Sequence, residues 1–152
     1  MKKSSLVHAS FSFNRTFKAS KERVYKAFAD KQAKELWFGG PKNTQHDHMM
    51  DFRVGGHESN EGKFHDGVTH RFEGTYYDIV PNERIIYAYE MYLNDQRISV
   101  SLATLEFEEA AGQTTLVLTE DGVFLDGLDG VESRKKGTEG LLSAIELSLK
   151  ED

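Results

Sequence analysis

Apolar and polar side chains alternate with a period of two residues along most of this sequence. The first such segment runs from residue 6 to residue 18, where alanine, valine and three phenylalanines share one face opposite serine, asparagine and threonine. Further alternating segments lie between residues 45 and 121 and are separated by turn residues such as Gly55-Gly56 and Pro81-Asn82. A period of two puts one set of side chains on one face of a strand. The pattern therefore predicts a bent antiparallel sheet of about six to seven strands with one apolar face.

Two short helices are predicted after the first strand. Ser20 is a suitable N-cap for a helix near residues 21–30, and Asp30 can cap a second helix near residues 31–37. Helical spacing puts Ala33, Leu36 and Trp37 on the apolar side of the second helix.

A long C-terminal helix is predicted to begin between about residues 128 and 135 and to end near residue 150. Leu142, Ile145 and Leu149 have the spacing of one helical face. Gly137 and Gly140 fall within this helix, where they indicate either close approach to the sheet or room beside it. One helix covering the apolar face of the sheet gives an α+β fold, and residues 1–152 are expected to form one domain.

Two strands have less regular patterns. The segment "HESNEGKFHDG", residues 57–67, is unusually polar, which predicts an exposed or irregular edge strand. In "RISVSLATLEF" the aliphatic residues 98, 100 and 102 share one face, whereas Leu105 and Phe107 have the opposite parity. This change of parity predicts a β-bulge near Ala103.

Composition excludes several classes of protein. A net charge of −6 argues against a nucleic-acid-binding surface or a basic membrane-binding patch. The absence of cysteine excludes disulfides, thiolate chemistry and the commonest zinc sites. No apolar run suits a signal peptide or a membrane span. We therefore expect a soluble cytoplasmic protein, monomeric or homodimeric, that neither binds nucleic acid nor inserts into a membrane.

Five of the six tyrosines lie between residues 76 and 92, in a hairpin around Pro81-Asn82. Strand alternation places Tyr87, Tyr89 and Met91 on the inner face and Glu90 on the other, because burying Glu90 would be costly. These aromatic side chains either fill a core or line a small-molecule cavity.

Several motifs in their order along the chain resemble one known superfamily. They are "RTFKASKERVYKAFAD", "LWFGGP", "DFRVGG", "GTYYDIVPNERIIYAYEM", "TTLVLTEDG" and "GTEGLLSAIELSL". The sequence is similar to the START-like (SRPBCC) superfamily, and within it to the branch named after activators of the heat-shock protein 90 ATPase. "RISVSLATLEF" and "TEDGVFLDGLDG" further resemble a bacterial subgroup that includes enediyne self-sacrifice resistance proteins. The chain departs from the family at Ser20, where proline is frequent, and at Thr138, where tryptophan is frequent.

The resemblance implies a helix-grip fold with a cavity between the sheet and the long helix, and it implies binding of a small hydrophobic molecule there. Lipid-like, polyketide-like and aromatic ligands all fit this description, and no cofactor is implied. The predicted lining combines apolar walls with a few polar groups. It comprises Trp37, Phe38, His48, Met50, Phe52, Tyr76, Tyr87, Tyr89, Met91, Leu102, Leu118, Glu120, Phe124, Leu142 and Ile145.

Three other functions remain open at this point. His48 and Glu120 are candidates for acid/base chemistry of a cyclase or hydrolase type, if the cavity brings them together. A co-chaperone that stimulates an ATPase and a protein that sequesters a reactive natural product follow from the resemblance alone. The sequence favours a binding protein over an enzyme.

A metal site is the weakest alternative. His46 and His48 stand two residues apart on one strand, and His57, His65 and His70 follow, but no third ligand has a diagnostic spacing. We therefore predict no bound metal.

Overall fold

A computed structural model describes residues 4–39, 45–64 and 66–150 of the chain. The secondary structure agrees with the predicted α+β class. The strands are β1 (Leu6–Phe17), β2 (Gln45–Met50), β3 (His57–Lys63), β4 (Thr69–Val80), β5 (Arg84–Leu93), β6 (Gln96–Ala110) and β7 (Gln113–Leu125). The helices are α1 (Lys21–Ala29), α2 (Lys31–Glu35) and α3 (Val131–Leu149).

All seven strands form one antiparallel sheet in the order β1-β7-β6-β5-β4-β3-β2. Consecutive strands from β2 to β7 are neighbours, and β1 pairs with β7 at one edge. Helices α1 and α2 connect β1 to β2 at the opposite edge, and α3 lies against β1 and α1. The buried side chains of the sheet face these helices. The largest apolar side chains that are almost fully buried are those of Phe17, Val24, Ile85, Leu105, Phe107, Leu116, Leu142 and Ile145.

The turns have the expected chemistry. Asn82 has a φ of 64° in the β4–β5 turn, a conformation that asparagine adopts more readily than most residues. Gly56 is required for a different reason, because a Cβ there would lie 2.0 Å from the carbonyl oxygen of Asp51. The backbone of residues 51–56 therefore folds tightly onto itself before β3 begins.

The predicted bulge in β6 lies in a different place. Alternate residues from Ser99 to Phe107 are all buried on the inner face, while Leu102 is 42% exposed on the outer face. The register shifts instead at Ile98, because Met91 pairs with Ser99 and Tyr92 pairs with Arg97. The apolar face predicted for residues 98–102 was therefore wrong. The inner face at this point carries two small polar residues, Ser99 and Ser101, where aliphatic residues were expected.

Strand β3 is not the exposed edge that its polar sequence predicted. It lies between β2 and β4, and Glu58 and Asn60 on its inner face are buried. Burial of an ionised carboxylate is costly unless it is paired and hydrogen-bonded. Glu58 has such partners, which come from α2, β2 and β4.

The inner face of α2 also differs from its prediction. Leu36 is 63% exposed, whereas Lys34 is 5% exposed and points inward together with Trp37. Helix α3 begins and ends within the predicted limits, and Leu142 and Ile145 are buried as expected. Within the described part of the chain, no helix is both long and apolar enough to cross a bilayer.

Candidate functional site

A cavity of about 370 Å³ lies between the inner face of the sheet and helix α3. This volume is near the lower end of the ~300–1,000 Å³ typical of small-molecule sites. Aromatic and aliphatic side chains make up most of its walls, with polar groups at a few positions. The predicted residues that line it are Trp37, Phe38, Tyr87, Tyr89, Met91, Leu118, Glu120, Leu142 and Ile145.

The other predicted lining residues lie elsewhere. Leu102 points away from the cavity because β6 has the opposite parity, so a bulky residue at this position would not fill it. Phe52 and Tyr76 pack against each other in the core, with ring centroids 4.9 Å apart. Phe124 lies beneath the guanidinium group of Arg134, and Met50 lies on β2 away from the cavity wall.

Arg134, on the first turns of α3, is the centre of a polar cluster at the cavity wall. Its Nη1 atom donates to the hydroxyl of Tyr89 at 2.9 Å and to Glu120 Oε1 at 3.3 Å. Its Nη2 atom donates to Ser99 Oγ and Asp129 Oδ2, each at 2.7 Å. The hydroxyl of Tyr89 in turn donates to Glu120. The small inner residues of β6 therefore leave room for a buried guanidinium group that links the sheet to α3.

Lys34 is the centre of a second polar cluster. Its ammonium group donates to Glu58 Oε1 at 2.7 Å, and the hydroxyl of Tyr76 donates to the same oxygen. The second oxygen of Glu58 lies 2.7 Å from His48 Nε2, and His48 Nδ1 lies 2.9 Å from Glu35 Oε2. A hydrogen-bonded chain therefore runs from the cavity wall at Lys34 to the partly exposed carboxylate of Glu35.

The cavity does not bring together His48 and Glu120, the two candidates for acid/base chemistry. His48 is held between Glu35 and Glu58, and its side chain is 2% exposed. Glu120 belongs to the cluster around Arg134 and Tyr89. The condition for this alternative is therefore not met, because each group has its own partner of suitable charge or polarity.

Two further polar groups line the cavity and have no hydrogen-bond partner among the described residues. They are the hydroxyl of Tyr87 and Oδ1 of Asn60. Burial raises the pKa of Tyr87 well above 10, so its hydroxyl keeps its proton at neutral pH. Gly39 packs closely beside Asn60, because a Cβ at this position would lie 2.9 Å from the amide nitrogen.

Glu58 makes the stability of the protein dependent on pH. Burial by itself raises the pKa of this carboxyl, but the Lys34 ammonium and hydrogen bonds from His48 and Tyr76 outweigh burial and lower the pKa from 4.5 to about 2. A carboxyl with a lowered pKa stabilises the fold above its ordinary pKa, and this contribution is lost as the pH falls toward the folded value.

We expect this group to contribute about 3 kcal/mol at neutral pH, since one pKa unit corresponds to about 1.4 kcal/mol. Urea unfolding at a series of pH values between about 5 and 2 should show this decrease, and Glu58→Gln should have a flatter profile. Parallel profiles for the two proteins would contradict the prediction.

Lys34, Glu58, Asn60 and Arg134 were missed by the sequence analysis. For the two basic residues, helical spacing could have predicted an inward position. Lys34 precedes Trp37 by three residues and Arg134 precedes Thr138 by four, so each lies on the same helix face as a buried residue. Charged residues are seldom fully buried, so the pattern alone favoured solvent exposure.

Among residues 4–39, 45–64 and 66–150, no group of three or more histidine, aspartate or glutamate side chains is arranged to hold a metal ion. His65, which was part of the metal alternative, lies outside the described residues.

Comparison with known proteins gives one family match. The profile of the family described as "Activator of Hsp90 ATPase homolog 1-like protein" matches residues 18–150. No protein with a curated description matches the chain.

Solved structures give close matches. A protein from Rhizobium leguminosarum is 44% identical, with a TM-score of 0.94 and 99% of each chain covered. The protein Mll3558 from Rhizobium loti is 37% identical, with a TM-score of 0.88 over 95% of this chain and 99% of the other. DynU16, a protein of the dynemicin biosynthetic locus, is 17% identical with a TM-score of 0.65, over 93% of this chain and 47% of its own, and shares the fold.

Proposed function

Because the chain belongs to the Activator of Hsp90 ATPase homolog 1-like family, within the START-like superfamily, we propose that it binds a small, largely apolar molecule in the cavity beneath α3. Members of this superfamily typically bind hydrophobic ligands. The observation that carries the proposal is an apolar cavity whose wall includes a buried polar atom without a hydrogen-bond partner among the described residues, Oδ1 of Asn60. A buried polar group without a partner is costly, and a ligand that hydrogen-bonds to it removes that cost.

The charges around the cavity favour a neutral ligand over an anionic one. The two basic side chains in its wall already have acidic partners, Lys34 with Glu58 and Arg134 with both Glu120 and Asp129. A carboxylate or sulfonate would have to be desolvated beside these acidic groups without a free cation to receive it. The proposed ligand therefore has a neutral polar group, such as a hydroxyl, carbonyl or amide, on an apolar body.

A matched pair of fluorescent dyes tests this proposal. N-phenylnaphthylamine is neutral, and anilinonaphthalenesulfonate has the same aromatic body with an added sulfonate. We expect saturable binding of one neutral dye per folded chain and at least about tenfold weaker binding of the sulfonate, which corresponds to ~1.4 kcal/mol. Equal or tighter binding of the sulfonate would contradict the assignment of a neutral ligand, and no saturable binding of either dye would contradict the proposed function.

Two glycines of α3 provide a matched pair of variants that tests the position of the site. A Cβ at Gly137 or at Gly140 meets no atom within 4 Å, but only Gly137 lines the cavity. We expect Gly137→Trp to weaken binding of the neutral dye by at least about tenfold, because the indole occupies the cavity or its opening. Gly140→Trp should leave the affinity unchanged. Equal affinities of the two folded variants in a fluorescence titration would place the dye outside the cavity.

A further inference from the structure

We propose that Lys34 is a covalent binding residue, whose amine captures an aldehyde or ketone in the cavity as a reversible imine. This inference rests on the proposed function and extends it from a neutral polar ligand to a carbonyl compound with an apolar body.

The position of Lys34 is the first observation that supports it. Lys34 lines the cavity, and its side chain is 6% exposed. The ammonium nitrogen lies 4.8 Å from the ring centroid of Phe38 and 6.0 Å from those of Phe72 and Tyr87, all three of which line the same cavity. Among the described residues, Lys34 is the only lysine in the cavity wall. An apolar molecule that enters the cavity therefore meets one amine, surrounded by aromatic rings.

The state of the amine is the second observation. Burial lowers the pKa of Lys34, and this effect outweighs the opposing influence of Glu58. A larger fraction of the amine is then unprotonated near neutral pH than for a lysine in water, which is the condition for nucleophilic attack on a carbonyl. The free hydroxyl of Tyr87 provides a donor in the same cavity for the carbonyl oxygen.

The reaction needs no further reagent. The ammonium group first releases one proton, and the lone pair of the resulting amine forms a bond to the carbonyl carbon. Both carbon–oxygen bonds then break, and the oxygen leaves as water with one proton from the amine and the proton that the ammonium group released. The product is a protonated imine. Its positive charge remains opposite Glu58, so the buried carboxylate is paired before and after capture.

Borohydride trapping tests the proposal on the wild-type protein. Naphthaldehyde serves as the carbonyl probe, sodium borohydride converts any imine to a stable amine, and peptide mapping by mass spectrometry locates it. We expect one predominant adduct per chain, on Lys34. Naphthalenemethanol, which has the same apolar body without a carbonyl, should abolish this adduct by occupying the cavity. Lys31, which is exposed one turn earlier on α2, is the internal reference whose modification the alcohol should not change.

The outcomes separate this inference from the proposed function. Saturable binding of the neutral dye without an adduct on Lys34 would overturn the inference while the cavity remains a binding site. Failure of both dye binding and trapping would overturn both. Adducts confined to exposed lysines, or an adduct on Lys34 that the alcohol does not reduce, would also contradict the inference. The Lys34→Arg variant should lose the alcohol-sensitive adduct, because a guanidinium group does not form this imine.

Discussion

Replacing Lys34 with methionine is expected to lower the free energy of unfolding by about 3–5 kcal/mol. Methionine replaces the apolar part of the side chain as far as Cε, but it removes the ammonium group that lies 2.7 Å from Glu58 Oε1 in a buried site. Removing one partner of a buried ion pair leaves an uncompensated charge, and this is the origin of a loss of that size. Urea unfolding followed by circular dichroism at neutral pH measures the change.

Two further variants distinguish this effect from a general loss of packing. Lys31→Met removes a lysine from the same helix whose partner, Glu35, is partly exposed, so a change within about 0.5 kcal/mol is expected. In the double variant Lys34→Met/Glu58→Gln both positions are neutral, so no buried charge is left without a partner. Its loss of stability should be smaller than the sum of the two single losses. Additive losses would show that the pair is not energetically coupled.

Replacing Phe107 with alanine is expected to cost about 3–5 kcal/mol of stability. Phe107 is 2% exposed, and its ring centroid lies 5.6 Å from that of Tyr25 and 5.8 Å from that of Phe28. Truncation therefore removes the contact between β6 and α1 and leaves a cavity that the two aromatic neighbours cannot fill. Thermal or urea unfolding of the variant provides the measurement.

Leu102 is the matched control on the same strand. It faces outward and is 42% exposed, so Leu102→Ala should change the stability by no more than about 0.5 kcal/mol. The pair also tests the register of β6, because a strand shifted by one residue would bury Leu102 and expose Phe107. Comparable losses for the two variants would contradict the register.

The elements of the fold followed from local patterns. The first strand, both short helices and the limits of α3 lie where alternation, caps and helical spacing placed them. Tyr87 and Tyr89 face the cavity and Glu90 bonds to Arg97 on the outer side, as the apolar pattern of the hairpin predicted. These features are local because the side-chain period of a strand or helix depends on neighbouring residues only.

The errors arose where polar residues are buried. Four buried polar residues were assigned to the outer surface or left out: Ser99 and Ser101 on β6, Glu58 on β3 and Lys34 on α2. The reason is that hydrophobic periodicity assigns polar residues to the solvent-exposed face. Each is buried beside a partner from a distant segment. The predicted cavity lining was incomplete for the same reason. It lacked Arg134 and Asn60, and it included Leu102, which does not line the cavity.

Local sequence patterns specify which segments are strands and helices and which face of most of them is apolar, because both properties repeat at the local period of the backbone. Which charges are buried, and where the cavity lies, depends instead on contacts between segments that are distant in the sequence. Lys34 is buried because Glu58, 24 residues away, accepts a hydrogen bond from its ammonium group. Arg134 is partly buried because Ser99, 35 residues away, is small and accepts its hydrogen bond. The free energy of a buried charge depends on the partner that reaches it, and only the packing of sheet against helix brings the two together.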